Sequence, residues 1–219
     1  MMDINLIDIY NKLLEHYGYQ KWWPGETQDE IIIGAILTQS VNWKNVEKAI
    51  KNLKRERLCT LKEIHKTPLE TIAPLIRPTI YFNRKAEKLK NFAKFIYTEF
   101  DGDLDRMFSR DPAELRKKLL VVKGIGEETA DSILLYAGNL LFFVIDAYTK
   151  RVFSRMGFIE EDSSYAEMQQ FFINNLPLDV TLYNDFHAQI VMLAKTYCKK
   201  RNPDCGRCPI AIYCQKQYS

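Results

Sequence analysis

Four cysteines near the C-terminus are the strongest chemical signal in the chain. Cys198, Cys205, Cys208 and Cys214 are spaced C-x6-C-x2-C-x5-C and fall within 17 residues. Four thiolates satisfy either a structural zinc ion or a [4Fe–4S] cluster, and composition does not choose between them. Disulfides are not expected in a reducing compartment. The fifth cysteine, Cys59, sits in "KRERLCTLKEI" and reads as an apolar helix residue. Lys199, Lys200, Arg201 and Arg207 lie in the cysteine loops. A metal-held loop would present these cations rigidly to a phosphate backbone.

The second signal is "KGIGEETADS", Lys123 to Ser132. It lacks the Gly-Lys-Ser/Thr end of a Walker loop. It also lacks the preceding strand and third glycine of a dinucleotide site. A helix–hairpin–helix remains. Gly124 and Gly126 permit turn conformations closed to other residues. The N–H groups of Lys123, Gly124, Ile125, Gly126 and the following helix can then face a phosphate. Glu127 and Glu128 suit a first helical turn, where the helix dipole favours acids. Twenty residues beyond Gly126 comes Asp146, in "FFVIDAYTKRV". It reads as a helix cap, as a substrate-facing carboxylate, or as both. Trp22, Trp23 and Pro24 precede a helix in "QKWWPGETQDEIIIGAILTQSVNW", with Trp43 one helix on. Two adjacent tryptophans cannot both enter one core from a regular helix, so they suit stacking faces; the alternative is an apolar plug at a helix start. His187, in "NDFHAQIV", reads as a hydrogen-bonded core histidine.

The elements that must position these groups are helices. Thr27/Glu30, Thr60/Glu63 and Thr67/Glu70 have capping-box spacing, Asn42 can cap "WKNVEKAIKNL", and Asp111 precedes a proline at a first helical position. "YFNRKAEKLKNFAKFIYTEF" is a long amphipathic helix. The only β-like run, "LLFFVID", has no convincing partner strand. The expectation is an all-α protein of about ten helices. Its 219 residues are 47% hydrophobic and 27% charged, enough for one good core or two small ones, and against disorder. No apolar run reaches a membrane span and the first residues do not read as a signal peptide, so a cytoplasmic location is expected. Net charge is +3, yet Lys195–Ser219 carries six Lys or Arg against one acid. That basic end fits a polyanion contact, or a solubilising tail.

The order of glycine hairpin, "VID" aspartate and four-cysteine loop resembles that of the helix–hairpin–helix DNA glycosylases, over nearly the whole chain. The cysteine spacing resembles the C-terminal iron–sulfur loop of endonuclease III-type repair enzymes, which implies [4Fe–4S] over zinc. The resemblance implies two α-helical lobes, residues 27–138 ending in the hairpin and residues 1–26 plus 139–219 carrying the loop 198–214, with a flipped base between them. It implies that the hairpin grips DNA, with a possible monovalent cation on its turn carbonyls. Asp146 would stabilise the charge that develops on the sugar. Bifunctional members carry a Schiff-base lysine where this chain has Glu128, so a monofunctional enzyme is expected. Adenine-excising members carry a catalytic glutamate where this chain has Gly34, and a further domain after the cluster. This chain stops five residues past Cys214, so both features weigh against adenine.

Within this superfamily the Trp-Trp-Pro segment and the hairpin glutamate look like the 3-methyladenine DNA glycosylase III branch. That resemblance implies a base pocket of Trp22, Trp23, Pro24, Trp43 and Glu128, with Gln39 filling the gap left by the flipped base. Aromatic faces suit a cationic alkylated purine. Some members of the branch lack the four cysteines that this chain has. The expected function is base excision repair of alkylated purines, 3-methyladenine first. The rival readings are a mismatch thymine or uracil glycosylase and a catalytically silent DNA-damage-binding module. The expected partner is damaged double-stranded DNA, met by a monomer at the nucleoid and away from membranes.

Overall fold

A computed structural model describes residues 5–215 of the protein; Lys216, one of the cations of the basic end, lies outside them. The chain is all-helical among these residues. Its α-helices are α1 Leu6–Tyr17, α2 Gln28–Leu37, α3 Trp43–Arg55, α4 Leu61–Lys66, α5 Leu69–Leu75, α6 Phe82–Phe100, α7 Leu104–Phe108, α8 Pro112–Val121, α9 Glu127–Ser132, α10 Ala147–Met156, α11 Tyr165–Asn175 and α12 Val180–Thr196. The "LLFFVID" run forms no strand. No described helix is long and apolar enough to cross a membrane. Thr27, Asn42, Thr60 and Asp111 each accept a first-turn N–H, as their spacing predicts. Thr67 departs from expectation. It closes α4 rather than opening α5, with ψ 136 and its N–H on the Glu63 carbonyl. Pro68 ends α4 by keeping Thr67 out of the helical region, and Pro68 itself, extended at ψ 148, takes the N-cap position of α5, one residue later than the spacing predicts.

The chain packs as two compact units, Trp23–Leu140 and Met1–Trp22 with Leu141–Ser219. In the first, α2 is apolar on every side beyond its first turn of Gln28, Asp29 and Glu30, and Ile32, Ile33, Ile36 and Leu37 are fully buried. A helix with no polar face belongs at the centre, and α2 packs on α3, α6 and a one-turn π-helix, Ile133–Ala137, that continues α9. Lys85 of α6 is buried, and its ammonium donates to the carbonyls of Leu37 at 2.8 Å and Thr79 at 2.6 Å. It thereby serves one orphan carbonyl at the end of α2 and another at the end of the 3-10 turn Arg77–Thr79. Burial, aided by nearby Lys88, pushes its pKa down to about 8.

The second unit has an aromatic core. Phe143 and Phe172 stack at 4.1 Å, and Phe153 and Phe186 meet them edge-on. Asp185 of α12 is completely buried. It accepts from the Tyr10 hydroxyl at 3.1 Å, the Gln20 N–H at 2.7 Å and the Gln189 amide at 3.1 Å. The N-terminal segment is tied to α12 through this carboxylate and through the Gln189 amide, which also donates to the Gly18 carbonyl at 2.7 Å.

The hairpin helices α8 and α9 are clamped by Arg116 and Asp131. The guanidinium donates to both carboxylate oxygens, at 2.6 and 3.0 Å, and Asp131 is 0% exposed. Arg116 also lies 3.7 Å from Glu127, which is half exposed. Removing one partner of a buried pair strands the other charge. Asp131→Ala should therefore cost about 3 kcal/mol, and Glu127→Ala below about 1 kcal/mol, as read from denaturant midpoints.

Candidate functional site

Asp146 sits where an irregular run meets α10, and that run is held at several points. Phe143, Val144 and Ile145 are buried. The Phe143 carbonyl accepts from the Gln169 amide at 2.7 Å, and the Ile145 N–H donates to the Tyr165 hydroxyl at 3.3 Å. Asp146 then caps α10, with Oδ1 accepting the Thr149 N–H at 2.7 Å. Its other oxygen, Oδ2, lies 3.6 Å from Nε2 of His187. That distance is long for a hydrogen bond but within reach of ionic attraction. Burial alone pushes the Asp146 carboxyl up; the charge of His187 and the Thr149 N–H outweigh it and hold the carboxyl below the usual aspartate range. The side chain is 13% exposed. Asp146 is thus a fixed, ionised and nearly buried carboxylate.

The hairpin is built as its sequence predicts, and it is braced from α6. Gly124 has φ +98, which an L residue rarely adopts. The Ile125 N–H closes the turn on the Val122 carbonyl at 3.0 Å, and the Ile125 side chain is buried. Lys123 and Gly126 are exposed, and Gly124 is half-buried. The Lys123 carbonyl accepts from Asn91 at 3.1 Å, and the Gly124 carbonyl accepts from the Gln39 amide at 3.1 Å. Gln39 also donates to the Thr129 hydroxyl at 2.8 Å and accepts from the Lys88 ammonium. Gln39 is therefore tethered to the hairpin. Glu128 lies exposed on the first turn of α9.

Two of the predicted aromatic residues meet. Trp23 packs edge-on to Trp43 at 5.2 Å, and its ring lies 5.0 Å from that of Tyr136, on the π-helical turn. Trp43 Nε1 donates to Glu47 at 3.0 Å. Gly34 lies beneath the pair: a Cβ there would stand 3.2 Å from Trp23 Nε1 and 3.5 Å from the Trp43 ring. A longer side chain at position 34 would have to displace an indole. Trp22 is half-buried and Pro24 exposed.

Cys198, Cys205, Cys208 and Cys214 are all free and line one common, largely apolar pocket together with Val152, Met156, Leu193 and Ile210. Burial pushes the Cys208 thiol up to about 11. Among the described residues, no three His, Cys, Asp or Glu side chains converge as a ligand set for a metal ion. The loop is fastened by two arginines of α10. Arg151 donates to the carbonyls of Cys198 at 2.9 Å and Ala194 at 3.0 Å. Arg155 donates to those of Lys199 at 2.7 Å and Lys200 at 3.1 Å, and to the Cys198 sulfur at 3.6 Å. Lys199, Lys200, Arg201 and Arg207 are exposed. Arg207 is paired with Asp204, which reduces the charge that it presents.

His187 beside Asp146, Lys88 over the hairpin, Tyr136 beside Trp23, and Arg151 and Arg155 on the cysteine loop all escape sequence reasoning. Only the last two carry a signal, two arginines four apart on the helix that follows Asp146.

The sequence profile described as "HhH-GPD superfamily base excision DNA repair protein" matches residues 33–177. A protein of Methanocaldococcus jannaschii named "Putative DNA repair glycosylase MJ1434" is 47% identical over 208 residues, 94% of each chain. Endonuclease III of Sulfolobus acidocaldarius is 30% identical over 216 residues, again 94% of each. The crystal structure of a Helicobacter pylori 3-methyladenine DNA glycosylase bound to 1,N6-ethenoadenine superposes with a TM-score of 0.77 at 28% identity, covering 88% of this chain and 98% of the other. With a hairpin, a capping aspartate and matches of this extent, the chain belongs to the HhH-GPD superfamily of base excision DNA repair proteins.

Proposed function

We propose that the protein is a monofunctional DNA glycosylase that hydrolyses the N-glycosidic bond of an alkylated purine, 3-methyladenine first. The observation that carries this reading is Asp146, a fixed carboxylate that stays ionised at neutral pH. Excision requires the damaged nucleotide to leave the stack. As the C1′–N bond breaks, its electron pair leaves with the base and positive charge grows on the sugar. Asp146 stabilises that charge electrostatically, then accepts a proton from the water that adds to C1′. The Thr149 N–H holds the carboxylate in place, and with His187 it favours the ionised form. Glu128 occupies the position of the lyase lysine, and a carboxylate cannot form a Schiff base. The indoles of Trp23 and Trp43, with Tyr136, offer the aromatic surface that a cationic purine prefers, and the lack of side-chain room at Gly34 supports a route without a glutamate there.

The donor set fits a [4Fe–4S] cluster. Four thiols line one apolar pocket, a donor set that a [4Fe–4S] cluster takes, and their spacing resembles that of an iron–sulfur loop. Cys198, Cys205, Cys208 and Cys214 would hold it. When bound, the cluster supplies a covalent brace for the loop. Arg151 and Arg155 fix the loop's carbonyls, and Lys199, Lys200 and Arg201 face outward toward a phosphate backbone.

Asp146→Asn should lower single-turnover base release by about 10²- to 10³-fold, with duplex affinity nearly unchanged. The panel should include methylated-purine, uracil and mismatched-thymine duplexes. Release of pyrimidines alone would replace the substrate and keep the chemistry; release of nothing would leave a binding module. Borohydride should trap no protein–DNA adduct, and a trapped adduct would overturn the role given to Glu128. Metal analysis should find iron and sulfide, both lost in Cys208→Ser together with a lower unfolding temperature; stoichiometric zinc would reverse the cluster assignment.

A further inference from the structure

Beside the cysteine loop lies a second concavity, to which the loop contributes Lys200 and α10 contributes residues given no part in base release. Its walls are Lys150, Arg151, Ser154 and Arg155 of α10, Lys200 of the loop, and Glu161. Four cations face one acid. Ala147, the chain neighbour of Asp146, completes the lining. The two arginines are fixed by the loop carbonyls at 2.7–3.1 Å, so they contribute charge from a rigid wall. The Lys200 carbonyl is itself held by Arg155, so the Lys200 side chain leaves from an anchored backbone. Lys150 and Lys200 form no ion pair among the described residues. The Ser154 hydroxyl is buried and finds no hydrogen-bond partner among those residues. A change of χ1 would let it donate to an oxygen in the concavity.

We propose that this concavity is a phosphate site, filled by a backbone phosphate of the DNA strand under repair. Two ammonium groups and two guanidinium groups brought together from two elements, with a hydroxyl one rotamer away, suit a tetrahedral anion. Ala147 places the site one residue from Asp146 along the chain. A phosphate seated there anchors the strand close to the carboxylate, and this proximity along the chain selects DNA over a free ion. The site is composite, because Lys200 reaches it only when the cysteine loop is docked on α10. It rests on the DNA-repair reading but not on base release, so it can be tested on undamaged duplex.

The experiment measures duplex affinity against salt concentration for the whole protein. Each phosphate contact contributes a slope of about 0.9 in log affinity against log salt. Lys150→Ala should reduce the slope by about that amount and weaken binding several-fold at 0.1 M salt. Lys150→Arg should restore both, and Lys200→Ala should act like Lys150→Ala. Lys12→Ala, on α1, serves as a control and should leave the slope unchanged. A thermal scan of each variant excludes misfolding. An unaltered slope in folded Lys150→Ala and Lys200→Ala would overturn the proposal. A second arm titrates inorganic phosphate at constant ionic strength. Phosphate binding that these variants abolish, with an unchanged DNA slope, would overturn the DNA source in favour of a free anion. If Asp146→Asn releases base as well as the parent protein, the salt slopes still decide this site.

Discussion

A helix needs an acceptor at its N-terminus, and α10 obtains one from Asp146. That requirement organises the whole second unit. The Thr149 N–H holds one carboxylate oxygen, which leaves the other directed toward His187. An aspartate on a loop would be free to rotate. Here the same hydrogen bond that starts a helix fixes the group proposed to meet the substrate, so no separate device is needed to orient it. The run before it is fixed in turn by Gln169 and Tyr165, and behind it the stacked rings of Phe143 and Phe172 close the core. Stability and proposed chemistry therefore rest on the same few contacts.

The first unit is organised around a different need, the closing of helix ends in an apolar interior. The buried ammonium of Lys85 serves the end of α2, and Lys90 serves the end of α4 by donating to Ile64, His65 and Thr67. Both lysines lie on α6. The same helix braces the hairpin through Asn91 and Lys88. One long amphipathic helix thus sets the termini of its neighbours and the shape of the hairpin turn.

Much of this is legible in the sequence because it is local. Caps at Thr27, Asn42, Thr60 and Asp111 depend on residues three apart, and the four cysteines lie close enough for their common pocket to be expected. Thr67 misleads because Pro68 stays extended and takes the cap position of α5 itself, which leaves Thr67 one residue outside the helix that its spacing suggests it opens. The rest is hidden because it acts through space. His187 reaches Asp146 from α12, and nothing in "NDFHAQIV" names a partner 41 residues upstream. Gln39 reads as a gap-filling residue, but its three partners lie on α6, in the hairpin and on α9. Tyr136 looks like core, which it is; its place beside Trp23 depends on the π-helical turn, which shifts a side chain around the helix without leaving a sequence signature.

The contact between Gly124 and Lys88 limits how the hairpin can change over evolutionary time. A Cβ at position 124 would collide with Cγ of Lys88 and press on its Cδ at 3.0 Å. The positive φ at this residue already disfavours any other amino acid. Either barrier alone could be crossed, the first by shortening residue 88 and the second by accepting strain. Together they make position 124 depend on position 88. A substitution at 124 finds room only after the lysine stem has gone, and removing that stem costs Gln39 one of its three partners. Drift in the hairpin is thus gated by a residue on another helix that makes no turn of its own.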